Sequence, residues 1–441
     1  MCRRTVGLLL AVGLVLVTLR TWAELGQSKK LVDDFPSDVA SVWFDTLYDV
    51  IKSEVTAPPL ASRIYSISAI ALYEAVLPGT LHNRSLVGQL NGLAAVPQPK
   101  KHGEYHWPTV ANAALARTIR SIFPSLKREN LEAINALEQS FAGQFHAEVK
   151  RKSYERSVAQ GRAVARAILK WAATDGFSIY NDCPYAPLLV PGVWKPTPPL
   201  FNPNPLQPCW GMIRPMVLTS GEECPPSGHP SFSTDPASEF YAAGQEVYQV
   251  GMGLTDEQKT IADYWSDGAG ATGTPPGHWI AIVGQISRNN GLSLIASAEA
   301  FARAGIAVHD AFIGCWYTKY VYNLQRPVTY INEHINPAWM SYITTPGFPS
   351  YHSGHSTQSG AVATVLTDMF GVMSFTDTTH TDHGLVPPQE PRTFDSFDEA
   401  AAETAVSRLY GGIHYSFDND HGLASGQCIG DIIRERVEFK K

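Results

Sequence analysis

Apolar residues recur at three- and four-residue spacing along most of this chain, and that period predicts helices. Between Ala40 and Val76 it predicts two, separated at Pro58-Pro59, with Ile64, Ile67, Ile70 and Leu72 forming a broad apolar face. Pro108 stands at the start of the next helix, whose stripe is Val110, Leu115, Ile119 and Ile122. Leu131, Ile134, Leu137, Phe141 and Phe145 mark another, and Val158 to Trp171 continues the pattern until Asp175-Gly176 stops it. The period then fails. Cys183 to Pro236 holds 14 of the chain's 31 prolines, a density that excludes helix and disfavours a regular sheet. Trp194, Phe201, Trp210 and Phe232 give this stretch apolar anchors, so residues 183–236 are expected to form an ordered covering segment. Helical spacing resumes with a capping box at Thr255 to Gln258, leading into Ile261 and Trp265. It continues through His278 to Ile286, Leu292 to Tyr322, Ala361 to Met369, Ser396 to Tyr410 and about Asn419 to Val437. Strand-like alternation is scarce. The expected fold is mainly α, and the unchanged class on both sides of the Pro-rich stretch reads as a single domain over residues 24–441.

Composition narrows this picture. The chain has 441 residues, 44% of them hydrophobic and 17% charged, enough to bury a sizeable core and too apolar for broad disorder. Residues 1–23 read as an export signal: Arg3 and Arg4, an apolar run from Val6 to Leu19, then Thr21-Trp22-Ala23 as a cleavage site. A retained signal anchor is the other reading. Cleavage would remove three arginines and no acids, moving the formal charge from -7 to -10. A secreted or secretory-lumen protein this acidic is a poor partner for nucleic acid. No later run is long and apolar enough to span a bilayer, so no membrane span is expected in the mature chain. After loss of Cys2 five cysteines remain, an odd number, so at least one thiol is free or intermolecular. Cys183, Cys209 and Cys224 lie close together, and one bridge is expected among them; Cys315 and Cys428 read as small core residues. Asn83-Arg84-Ser85 is a lone glycosylation sequon.

The candidate chemistry lies late in the chain. Ser353-Gly354-His355 sits between a Pro-broken lead-in and the apolar run that starts at Ala361, which places it at a helix N-terminus, where free N–H groups favour an anion. Lys319 and Arg326-Pro327 supply two cations upstream, and Arg408 supplies a third downstream. At an effective dielectric of about 20, each cation near 4 Å attracts an anionic charge by roughly 4 kcal/mol before desolvation. His355 and His414 complete the set; one could hold or attack a central atom, the other could move protons near neutral pH. Taken singly, each of these residues is ordinary. In order, they make Lys-x6-Arg-Pro, Ser-Gly-His before a helix, and Ser407-Arg408-x5-His414.

These three blocks, within residues 316–415, resemble the signature of vanadium-dependent haloperoxidases, a family that shares them with type-2 phosphatidic acid phosphatases and bacterial acid phosphatases. The segments around Tyr264-Trp265 and Thr274-Pro275-Pro276 resemble the same family. The resemblance implies a helical fold built on two four-helix bundles and orthovanadate as cofactor. It implies that Lys319, Arg326, Ser353, Gly354 and Arg408 bind the vanadate oxygens, that His414 ligates vanadium, and that His355 is the acid–base group. Lys319 would polarise hydrogen peroxide; halide would be oxidised to hypohalous acid, which halogenates an organic acceptor. In a phosphatase built on the same site, with no cofactor, His414 would be the nucleophile.

Some positions depart from that pattern or refine it. His352 stands where the family usually has Pro, which puts the local geometry and the titration of His355 in question. Pro226-Ser227-Gly228-His229 matches the family's letters better, but it precedes the Lys/Arg block and runs into Pro230 rather than a helix. Trp316 and Phe348 match aromatic positions on the halide side, and Asp267 matches a carboxylate that orients an arginine. His380-x-x-His383 with Asp382 could hold a metal, although a solvated polar loop is the expectation. Halide preference and oligomeric state, homo-oligomers included, stay open.

Overall fold

A computed structural model describes residues 30–186, 188 and 190–441, so the proposed export signal and Cys2 lie outside the described residues. Helices account for nearly all the regular structure. The first half contains α1 (Asp38–Ser53), α2 (Pro58–Val76), α3 (Trp107–Ile122), α4 (Arg128–Glu148), α5 (Arg151–Ala172) and the single turn α6 (Phe177–Tyr180). After the Pro-rich stretch come α7 (Glu239–Met252), α8 (Asp256–Tyr264), α9 (Thr274–Asn289), α10 (Leu294–Tyr322) and α11 (Pro327–His334). The chain closes with α12 (Gly354–Phe370), the turn α13 (Thr379–Asp382), α14 (Phe397–Tyr410) and α15 (Ser416–Arg436). Phe375–Asp377 and Arg392–Phe394 pair as a short antiparallel ribbon, β1 and β2.

The capping chemistry explains several starts. Pro58 and Pro108 lie in the first turns of α2 and α3, where a missing N–H costs nothing. Thr255 and Gln258 close a capping box on α8, and Ser293 caps α10. α2 is apolar and long enough to cross a membrane, but 94% of that window is buried inside the protein, as befits a helix with no polar face.

Two four-helix groups result. α1, α2, α3 and α5 pack together, as do α10, α12, α14 and α15; α10 joins the groups by packing on both α2 and α12. One hydrophobic cluster runs from Val32 to Phe439. In the second group α12 and α15 approach closely because glycines face backbone: a Cβ on Gly426 would lie 2.1 Å from the Thr357 carbonyl oxygen, and one on Gly360 2.6 Å from that of Leu423. This approach brings the start of α15 against the start of α12, where Ser353 N–H donates to the Asp418 carbonyl at 3.0 Å.

The described residues of the Pro-rich stretch pack against the helices, with Trp194 and Trp210 buried and Phe232 at the edge of an aromatic cluster. Phe201 is not an anchor: it is 60% exposed. Cys183 pairs with Cys209, within the expected group. Cys428 is not a core thiol; it pairs with Cys224, 204 residues away, and Cys315 alone is free among the described cysteines. Asn83 of the sequon is buried and donates to Glu299 at 2.8 Å, so its amide is already engaged.

Candidate active site

The site forms where the C-terminal turn of α10, the lead-in to α12 and the α14–α15 connection meet. Lys319 lies one turn before the end of α10 and is fully buried. Its ammonium donates to the carbonyls of Pro349 (3.1 Å) and Ser350 (2.7 Å), leaving one N–H free. Arg326 precedes α11 and is equally buried; it donates to the Phe348 carbonyl at 2.8 Å and the Ile413 carbonyl at 2.9 Å, while Nη2 has no partner. Arg408 comes from the last turn of α14 and donates to the Ala262 carbonyl at 3.3 Å and Ser407 Oγ at 3.0 Å. Burial pulls both guanidinium groups down to about 10, so they stay charged at neutral pH; burial also pulls Lys319 down.

Ser353 is the N-cap of α12, with its Oγ accepting from Ser356 N–H at 3.3 Å. Gly354 follows, close enough to Trp316 that a Cβ would meet its ring at 3.4 Å. His355 Nε2 lies 3.4 Å from Arg408 Nη1. His414 Nε2 lies 3.1 Å from Arg326 Nη1, and its Nδ1 lies 2.8 Å from Asp418 Oδ2. The Asp418 carboxylate accepts a hydrogen bond from Nδ1–H, so His414 presents the lone pair of Nε2 to the Arg326 guanidinium. Ser350 Oγ donates to the same Asp418 oxygen at 2.5 Å. Burial, then Arg408 for His355 and Arg326 for His414, hold both imidazoles well below their usual value and therefore neutral.

The charge balance is uneven. Lys319, Arg326 and Arg408 face the site, while Asp418 is the single carboxylate bonded to its histidine. Buried cations without matching anions are costly unless a ligand supplies the charge. The arrangement therefore suits a tetrahedral dianion with one imidazole nitrogen directed at its centre.

Trp316 and Phe348 stand side by side, with centroids 5.1 Å apart, and Lys319 Nζ lies 5.8 Å and 5.4 Å from the two rings. The sequence-derived set thus converges, apart from Asp267 and His352. Asp267 makes no ion pair with an arginine: its carboxylate accepts from His278 Nδ1 at 2.9 Å, and it reaches Arg408 only as a longer-range attraction. His278 Nε2 lies 2.7 Å from Asp377 Oδ2, so two carboxylates clamp one imidazole and push it up to about 10. His352 is buried, bonds Thr357 Oγ1 through Nδ1 at 2.7 Å, and is pushed down to about 3 by burial. The charges that act most on His355 are those of Arg408, His278, Lys319 and Arg326.

Asp418, His278 and Asp377 were not singled out by sequence reasoning. The four-residue spacing from His414 to Asp418 across a helix start is a signal for the first; nothing local marks the other two. His229 does not join the site: it packs among Tyr322, Tyr351 and Phe417. His380 is buried rather than solvated and bonds the Tyr264 carbonyl at 2.9 Å, whereas His383 stacks on Tyr48 and faces Asp49. The two do not converge, and no metal-binding cluster of His, Cys, Asp and Glu occurs among the described residues.

Residues 299–440 match a family model described as the VCPO second helical-bundle domain. The crystal structure described as the first bacterial vanadium-dependent iodoperoxidase superposes with a TM-score of 0.85 at 32% identity, covering 92% of this chain and 97% of that one. A holo-type bacterial vanadium-dependent chloroperoxidase shares the fold, with a TM-score of 0.65 at 15% identity over 95% and 97% of the two chains. In sequence, the vanadium chloroperoxidase of Curvularia inaequalis is 25% identical over 35% of each protein. The vanadium-dependent bromoperoxidase of Ascophyllum nodosum is 30% identical over 34% of this chain and 26% of its own. The chain thus spans about a third or less of the curated relatives it matches.

Proposed function

Because the chain belongs to the vanadium-dependent haloperoxidase family, we propose that it oxidises halide with hydrogen peroxide to hypohalous acid, using orthovanadate held in this pocket. The observation that carries the proposal is the His414 Nε2 lone pair facing the buried Arg326 guanidinium, whose Nη2 has no partner, with a second buried guanidinium, Arg408, against His355. This donor set fits vanadate. Lys319, Arg326, Arg408, Ser353 and the Gly354 N–H would bind its oxygens, and His414 would ligate the metal. Vanadate held by these residues would supply Lewis acidity toward peroxide.

The remaining work falls to the chain. Asp418 fixes the His414 tautomer, and Ser350 fixes Asp418. His355 is neutral and so able to take a proton from incoming peroxide. Lys319 has one N–H left for peroxide. Trp316 and Phe348 exclude water from the side where halide approaches. The two disulfides support the exported location proposed from residues 1–23.

A phosphatase would use the same cations and the same His414–Asp418 pair, so activity must decide. Peroxide-dependent oxidation of iodide and bromination of a dye should appear on adding orthovanadate to the purified protein. Cleavage of p-nitrophenyl phosphate, with no vanadate-dependent halide oxidation, would replace this reading with the phosphatase one.

A further inference from the structure

The two aromatic walls of the proposed halide side come from distant parts of the chain: Trp316 from α10, Phe348 from the lead-in to α12. One residue in the Pro-rich segment, Leu206, fastens both through its backbone. The Leu206 carbonyl accepts from Trp316 Nε1 at 3.2 Å and from the Tyr320 hydroxyl at 2.6 Å. The Leu206 N–H donates to the Gly347 carbonyl at 3.2 Å, directly before Phe348. The Leu206 side chain packs in the same cluster as Trp316 and Phe348. Beside it the segment is tethered twice: Gln207 Nε2 donates to Asn181 Oδ1 at 2.7 Å, and Cys209 is bonded to Cys183.

We infer that Leu206 and its tethered segment form a specificity-determining strap, with Leu206 and Tyr320 as positioning residues that keep the Trp316 indole N–H turned away from the halide. This rests on the haloperoxidase reading. The physical argument concerns what the wall offers an anion. A buried indole N–H seeks an acceptor. While Leu206 supplies one, the ring presents an apolar face, which favours a large, weakly hydrated halide over a small, strongly hydrated one. Once the strap loosens, the N–H can turn inward and donate to the halide. A hydrogen bond to a charged partner is among the stronger ones, and it is stronger toward the smaller ion. Iodide therefore gains least from the release and bromide gains more.

The test uses the full mature chain. Replacing the bridge (Cys183→Ser with Cys209→Ser) should raise the ratio of bromide to iodide kcat/KM by about three- to tenfold, through KM rather than kcat, the difference between what the two halides gain from the released N–H. In Trp316→Phe, which has no indole N–H, the same bridge removal should leave the ratio unchanged, because the coupled group is gone. Iodide quenching of tryptophan fluorescence gives a readout without vanadate: it should increase on bridge removal, and the increase should vanish in the Trp316→Phe background. If the bridge variant does not fold, Gln207→Ala removes the second tether and should shift the ratio in the same direction. An unchanged ratio and unchanged quenching in an active, bridge-free enzyme would overturn the strap. A wild-type protein with no halide oxidation would instead overturn the underlying reading, and the strap's selectivity role with it.

Discussion

Residues 227–229 and 353–355 both read Ser-Gly-His, yet the second begins a helix of 17 residues and the first begins none. At 353–355 the serine caps α12, the peptide N–H groups point along a helix start, and the histidine lies 3.4 Å from a buried arginine. At 227–229 the glycine sits at φ +91°, the chain turns into Pro230, and the His229 ring fills a gap among aromatic rings. Its Nδ1 is spent on the Pro230 carbonyl at 2.8 Å. The two segments even touch, since His229 packs against Tyr351, two residues before Ser353. The same three letters therefore start a helix beside a buried arginine in one place and serve as packing in the other. The helix start and the surrounding cations make the difference.

That contrast can be broken by substitution. The largest effect is expected at His414, the proposed vanadium ligand. His414→Ala should lower vanadate-dependent halide oxidation by at least about a thousandfold and abolish vanadate binding measured by calorimetry; retained tight binding would place the ligand elsewhere. His355→Ala should cut kcat by about 10²–10⁴-fold while vanadate affinity changes much less, since the lost group moves protons rather than holding the anion. Asp418→Asn should weaken vanadate binding by about 10–100-fold, because Nδ1 loses the acceptor that fixes the ring; an unaltered affinity would remove Asp418 from the site's support.

A smaller effect concerns pH. Burial holds His352 at about 3, whereas an unfolded histidine titrates near 6.5. Below about pH 6.5 the unfolded chain binds a proton that the folded chain refuses, so this residue makes stability fall as pH drops toward 3. His352→Gln should therefore show a shallower acid limb in denaturant melts; parallel limbs would argue that the ring protonates in place. The smallest effect on catalysis is expected at the other Ser-Gly-His. His229→Ala should leave turnover within about twofold and cost on the order of 1–3 kcal/mol of stability, as loss of a packed ring does. A large loss of activity there would collapse the distinction between the two segments.

Much of the molecule was legible in advance for one reason: helices and their caps are local. The stripes at Ile64 to Leu72 and Leu131 to Phe145, the Thr255 capping box and the Pro108 start all reappear at the expected places, because their physics acts within one or two turns. Contacts between distant residues were not legible. Cys428 looked like a core residue and is paired with Cys224; Phe201 looked like an anchor and faces solvent; Asn83 opens a glycosylation sequon and is tied to Glu299. Each outcome depends on what another segment places alongside.

The site divides in the same way. By itself the sequence determined which groups could bind an oxyanion, since Lys319, Arg326, Ser353-Gly354-His355, Arg408 and His414 lie in an ordered pattern tied to helix ends. Only the tertiary structure decided which charges face one another. It gave Asp418 to His414, clamped His278 between Asp267 and Asp377, and set the Leu206 carbonyl against Trp316. Hydrogen bonds and buried charges act over a few ångströms of space, and two of these four pairs are separated by about a hundred residues of chain.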